Sequence, residues 1–193
     1  MAGDDNVDDG ATPRELLMEA CRRNNLELLQ ELLKNVSQSK TRTSSAEEYV
    51  AELLNNAVDG IGNHCLHVAA TYGSWFERAD ETLDMLLDQE GLEVDPLDRL
   101  EGDTPLHKSV RYVNELSKSD WETGKSIVEL LIDAGADPRF RNKAKLKPMD
   151  LVDPANKELR AILQKAEFAI TAGNDIVDED EDDIPTGSAS DSE

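Results

Sequence analysis

The apolar positions of this chain recur with helical spacing rather than strand-like alternation. Leu16, Leu17 and Ala20, then Leu26, Leu29, Leu32 and Leu33, fall in two short runs with the spacing of one helix face. Asn24 stands between them, and Asn tolerates the left-handed turn usually given to glycine. Thr12-Pro13-Arg14-Glu15 opens the first run as a capping box with Pro at the first helical position. Thr104-Pro105 starts a later helix in the same way. Residues 37–45 are polar and rich in Ser and Thr. Ser45-Ala46-Glu47-Glu48 then predicts an extra helix with Tyr49, Val50, Leu53, Leu54 and Ala57 inward. Gly73 is placed to end an inner helix, and Gly91 and Gly135 to end outer ones.

The pattern repeats. Cys65-Leu66-His67-Val68-Ala69-Ala70 aligns with Pro105-Leu106-His107-Lys108-Ser109-Val110, and more weakly with Pro148-Met149-Asp150-Leu151-Val152. Apolar doublets follow each: Leu86-Leu87, Leu130-Leu131 and Ile162-Leu163. Upstream, Leu16-Leu17-Met18-Glu19-Ala20 leads to Leu32-Leu33 with the same offsets. Four copies of a two-helix unit predict a stacked array in which no unit buries its apolar face alone.

These residues carry a family resemblance. Gly102-Asp103-Thr104-Pro105-Leu106-His107 resembles the ankyrin GxTPLH signature, and Gly62-Asn63-His64-Cys65-Leu66-His67 a degenerate copy. Ala69-Ala70-Thr71-Tyr72-Gly73 resembles the family's AAxxG, and residues 131–138 its LLxxGAD. The likeness covers about 14–168. The whole chain is similar to small fungal ankyrin-repeat proteins with an acidic C-terminal tail. The resemblance implies an all-α solenoid of about four helix-pair repeats with short hairpin fingers. It also implies a non-catalytic protein-binding role and structural roles for His67 and His107.

The chain departs from that pattern in three places. Ankyrin units run to about 33 residues, but Cys65 to Pro105 is 40 positions and Pro105 to Pro148 is 43. The extra residues fall between inner and outer helices, at 74–81 and 114–124. Trp75, Phe76 and Trp121 lie there, with Tyr112 nearby. Two readings follow: longer helices whose aromatics pack across the repeats, or a partner-binding patch anchored by Trp and Tyr. The extra helix after residue 45 replaces the usual tight finger and reads as structural. The last finger, residues 139–147, carries Arg139, Arg141, Lys143, Lys145 and Lys147. As an extended hairpin it would present these bases roughly on one face. It then serves solubility, meets an acidic partner or holds the chain's own tail. Lys145 stands where the family prefers Gly, and Lys147 where it prefers Thr, as suits a capping repeat.

Charge sharpens this picture. The chain has 193 residues, with 42 acidic and 20 basic ones, for a formal charge of -22. Residues 1–10 hold four acids and no base, and 173–193 hold nine acids and no base. Both ends lack apolar residues to offset chain entropy, so the expected division is a disordered 1–11, a repeat domain 12–172 and a disordered tail 173–193. Asp178, Glu179, Asp180, Glu181, Asp182 and Asp183 form an acidic run. Ser188 and Ser190 each precede an acid by three positions, the pattern of an acid-directed kinase site.

Several classes are excluded. Phosphate binding needs a basic surface, so no direct nucleic-acid contact is expected. No apolar run approaches the roughly 20 residues a bilayer needs. The acidic N-terminus lacks the apolar core of a signal peptide. The expectation is a monomeric intracellular protein, either cytoplasmic alone or both cytoplasmic and nuclear. No catalytic residue, cofactor or metal site is assigned. Gly60-Ile61-Gly62 lacks the third glycine of a phosphate loop. His64, Cys65 and His67 lack a second Cys/His pair for tetrahedral ligation.

The functional expectation is a protein–protein interaction module. A sharper version is an escort for a strongly basic client of ribosomal type, attracted by the acidic tail. The alternative is a regulatory or inhibitory subunit covering another protein's functional surface.

Overall fold

Local chemistry fixes the first helix. In the computed structural model, which describes residues 10–38, 45–72 and 79–174, α1 spans Pro13–Arg23. The Thr12 hydroxyl accepts from the Glu15 backbone N–H, and the Glu15 carboxylate accepts from the Thr12 N–H at 2.8 Å. Asn24 ends the helix in the left-handed conformation, with φ of 49°. The outer helix α2, Leu26–Gln38, runs back against it.

Helix α3, Ala46–Asn56, starts at the Ser45–Glu48 box and buries Val50 and Leu54, with Tyr49 and Leu53 packed against the core. Its Asn55 side chain donates to the Gly91 carbonyl at 2.9 Å and accepts from the Glu93 N–H at 2.8 Å. The extra helix thereby braces the far connection. Three more helix pairs follow: α4, Cys65–Tyr72, with α5, Ala79–Leu87; α6, Pro105–Glu115, with α7, Trp121–Asp133; and α8, Pro148–Leu151, with α9, Lys157–Asn174.

The inner helices stack in the order α1, α4, α6, α8, and the outer row packs α2 on α5, α5 on α7 and α7 on α9. Leu17, Cys65, Leu66, Leu83, Leu106, Val110, Ile127, Leu131, Leu159 and Leu163 form one buried core along the stack. The stacking is what gives each short helix a buried face.

Three expectations need correction. The described fingers are turns, not hairpins: they contain a single antiparallel bridge, Val58 with His64, and no strand. Each finger is too short for a ladder, and its opening Asp or Asn side chain holds the turn instead. The insertion at 114–124 follows the longer-helix reading: α6 runs to Glu115, a five-residue link spans 116–120, and α7 starts at Trp121. Gly91 takes a positive φ of 78° but sits four residues beyond the end of α5, shaping the connection rather than capping the helix. By contrast, Gly135, φ 98°, directly follows the C-cap of α7. Nor is the last finger an extended hairpin: the chain turns twice between Asp137 and Lys147, Arg139 and Lys147 pair with Asp137 and Glu167, and Arg141, Lys143 and Lys145 remain as its exposed bases. Gly73, Trp75 and Phe76, the acidic run 178–183, Ser188, Ser190 and most of both predicted disordered ends lie outside the described residues.

Candidate functional site

The fingers are built by short polar side chains. Asp59 accepts from the N–H groups of Ile61 and Asn63 at 3.0 and 2.9 Å. Asp98 accepts from those of Glu101 and Gly102 at 2.7 and 2.8 Å, and Asn142 from that of Leu146 at 3.1 Å. An Asp or Asn that folds its own following backbone is the usual device for a tight turn. Backbone bonds then join finger to finger. Arg99 N–H donates to the Gly62 carbonyl at 3.2 Å, and Lys143 N–H to the Glu101 carbonyl at 2.8 Å. The three fingers form one continuous ledge.

Two histidines couple α4 and α6 each to the next finger. His67 Nδ1 accepts from the His64 N–H at 3.1 Å, so Nε2 carries the proton and donates to the Asp103 carbonyl at 2.9 Å. His107 repeats this: Nδ1 accepts from the Thr104 N–H at 3.2 Å, and Nε2 donates to the Leu146 carbonyl at 3.0 Å. In each, the ring accepts from the backbone N–H that precedes the helix, completing a capping box with Thr104 at α6, and reaches one unit ahead. Burial pushes the His67 pKa down to about 4 against the pull of the Asp103 carbonyl, and burial lowers His107 as well. Both rings are therefore neutral donors at pH 7.

Behind the second finger lies a charged network. Asp103 accepts from Arg111 Nε at 2.7 Å and from the Asn142 amide at 2.8 Å. Burial raises its carboxyl, but these two bonds outweigh burial and hold it down at about 2. Lys108 pairs with Asp98 at 2.7 Å, and Arg111 with Glu101 at 3.0 Å. The network is satisfied internally. It fixes the second finger against α6.

The ledge is where apolar side chains reach solvent. Of seven exposed large hydrophobic residues among those described, five lie in or beside the fingers: Ile61, Leu97, Leu100, Phe140 and Leu146. Leu100, at the tip of the second finger, is 59% exposed. Sequence reasoning passed over Ile61, Leu97 and Leu100. The signal was an apolar residue between an Asp and the glycine that opens the helix signature.

The residues singled out by sequence go to different places. Arg139 folds onto Asp137, with Nη2 at 2.8 Å. Arg141 donates to the Lys145 carbonyl at 2.8 Å, and Lys143 Nζ to the Arg99 carbonyl at 2.6 Å. All three stand on the ledge. Tyr112 is 4% exposed, so it packs inside and offers a partner almost no surface. Trp121 is half-buried against the core, with the Lys118 ammonium 5.8 Å from its ring centre. The indole N–H has no partner among the described residues. Tyr112 and Trp121 therefore support the extended-core reading of the third unit.

The Cys/His cluster has protein partners. His64 Nδ1 lies 3.0 Å from the Asn55 carbonyl, and Cys65 Sγ donates to the Leu54 carbonyl at 3.3 Å. Cys21 and Cys65 are fully buried, and burial pushes the Cys65 thiol up to about 12 and Cys21 well above its usual value. Neither is poised as a nucleophile. Among the described residues no helix is long and apolar enough to cross a membrane.

Comparison with known proteins agrees with the geometry. The family model described as "Ankyrin repeats (3 copies)" matches residues 2–142. The last helix pair, α8 and α9, lies beyond that match, where the signature residues give way to Lys145, Lys147 and Asp150. The chain is also 42% identical over 176 residues to the ankyrin repeat-containing protein YGL242C of Saccharomyces cerevisiae, covering 90% of this chain and 88% of the yeast protein. With stacked helix pairs, one-unit-ahead histidines and these two matches in register, the chain belongs to the ankyrin-repeat family.

Proposed function

We propose that this protein binds a strongly basic partner protein across its finger ledge, with the acidic residues 178–183 adding attraction at longer range. Ankyrin repeats generally mediate protein–protein contacts, and that much follows from the family. The observation that carries the finer reading is the row of Ile61, Leu97, Leu100, Phe140 and Leu146, exposed on a ledge held rigid by its own hydrogen bonds. Exposed apolar groups on a preorganised surface are the raw material of an interface core. The formal charge of -22 favours a basic client and repels acidic ones. An escort for a ribosomal-type protein fits this chemistry. Such a protein works as a monomer in the cytoplasm or the nucleus. Phosphorylation at Ser188 and Ser190 would deepen the tail's field by roughly 1.5 to 2 charges per site.

The test is quantitative capture from native lysate by the full chain, by Leu100→Asp and by a chain with residues 178–183 changed to Asn and Gln. The expected result is a basic protein whose recovery falls at least tenfold with Leu100→Asp. Neutralising the run should lower recovery most at low salt, and the difference from the full chain should shrink as salt rises, since exposed charges are screened over about 8–10 Å. Recovery unaffected by Leu100→Asp would move the contact off the ledge. A partner with no excess of Lys and Arg would end the escort reading.

A further inference from the structure

The array has one positive end. Residues 139–172, comprising the last finger with α8 and α9, hold eight bases and four acids. Residues 11–138 hold twelve bases and twenty-five acids. Within the last finger, Arg139 is matched by Asp137, and Lys147 pairs with Glu167. Arg141, Lys143 and Lys145 are exposed and pair with no carboxylate among the described residues. Arg141 and Lys143 bond only carbonyl oxygens, which leave their charge unmatched. Exposed Phe140 and Leu146 bracket these three bases.

The nineteen residues after α9, 175–193, have the complementary pattern. They hold nine acids and no base. Ile176-Val177 precedes the run 178–183, and Ile184-Pro185 follows it. Reach is ample. The Lys147–Glu167 pair seats the base of the last finger on α9, seven residues before the helix ends at Asn174. Seven helical residues span roughly 10 Å. The run starts four residues past Asn174, each spanning up to about 3.6 Å when extended.

We propose that the acidic run 178–183 docks on the last finger of its own chain, with Arg141, Lys143 and Lys145 as its charge partners and Phe140 and Leu146 meeting the flanking apolar residues. A tethered segment acts at a high effective concentration, so individually weak contacts suffice. A second copy is disfavoured because each chain carries -22. The remainder of the array is net negative and repels the run. Docking covers one end of the apolar ledge in the free protein, so a basic partner would draw the tail off and uncover Phe140 and Leu146 together. The contact is a property of the free chain and does not depend on any client.

The test uses the full chain with a nitroxide spin label at Thr186→Cys. Cys21 and Cys65 are fully buried, so the new thiol alone is open to labelling among these three. The expected result is strong broadening of amide signals at residues 140–146 and little at 59–63. It should be independent of protein concentration and fade at roughly 0.5 M salt, where screening acts within a few ångströms. Arg141→Glu with Lys143→Glu and Lys145→Glu should abolish it. Because Arg141 and Lys143 also hold finger carbonyls, a second variant changes only 178–183 to Asn and Gln. It leaves the folded array untouched and should abolish the broadening equally. Broadening spread over the array, centred on another finger, persisting in the second variant, or growing with concentration would each overturn the proposal.

Discussion

The third and fourth inner helices begin with aligned residues that do different work. At α6, Thr104 caps the helix, and His107 returns to the Thr104 N–H and reaches ahead to Leu146. At α8, Lys147 stands in place of Thr104, and an ammonium has no lone pair with which to accept. Asp150 stands in place of His107 and accepts from the Lys147 N–H at 2.9 Å, completing half of a box. It reaches no further finger. The carboxylates at the ends of the outer connections differ likewise. Asp95 accepts from the Asp137 N–H of the next unit at 2.8 Å, whereas Asp137 turns back onto Arg139. An internal unit spends its polar residues on the unit ahead. A terminal unit satisfies itself and faces water. The family signature is thus a set of couplers, and it fades where there is nothing to couple.

The largest effect should separate the two helix starts. His107→Ala removes a buried ring bonded at both nitrogens and should cost about 3 kcal/mol in urea unfolding. Asp150→Ala removes one exposed cap and should cost under about 1 kcal/mol. Equal losses would dissolve the distinction between internal and terminal units.

Acid should strike the internal couplers first. His67 has a folded pKa of about 4 against an ordinary 6.5, so its coupling is complete above pH 6.5 and is lost as pH falls towards 4. His107 shifts the same way. The expected loss from His67 between those limits is about 2 kcal/mol. His67→Gln should flatten that slope in unfolding curves taken at pH 7, 6 and 5. A slope unchanged by the substitution would assign the acid sensitivity elsewhere.

Asp95 works with the opposite sign. Burial raises its carboxyl to about 6, the Asp137 N–H opposes that, and the charges of Asp137 and Glu93 add to it. Its contribution is favourable below pH 3.8 and is lost as pH rises through 6. Asp95→Asn keeps an acceptor for the Asp137 N–H and should raise stability at pH 7 by about 1 kcal/mol, allowing for solvent screening. The gain should vanish near pH 4. An equal gain at both values would trace the effect to shape rather than charge.

The smallest expected effect tests the last finger. Gly102 and Lys145 occupy the same place before their helices, both left-handed, with φ of 64° and 65°. Only glycine takes that conformation without strain. Lys145→Gly should raise the unfolding midpoint by an amount equal to about 0.5–1 kcal/mol. A loss would mean that the Lys145 side chain contributes more than its backbone costs.

Much of this was legible in sequence because it is local. The capping boxes at Thr12 and Ser45, the left-handed Asn24 and the four helix pairs follow from residues within one turn of each other. The extra helix α3 was read correctly from Ser45 to Glu48. The finger ledge was not foreseen. Ile61 and Leu100 are single apolar residues in polar stretches, and nothing in their own neighbourhoods brings them together. The basic residues of the last finger were visible, but not that Arg139 would fold onto Asp137 while Lys143 reached the second finger.

The sequence alone determined the helices, their pairing and the family, because period, caps and repeat spacing are written within each unit. Tertiary structure decided which residues face the solvent together. It buried Tyr112, joined three fingers through Gly62, Glu101 and their partners, and set neutral histidines between units. Those outcomes depend on side chains about forty residues apart, whose meeting is fixed by the stacking of one unit on the next.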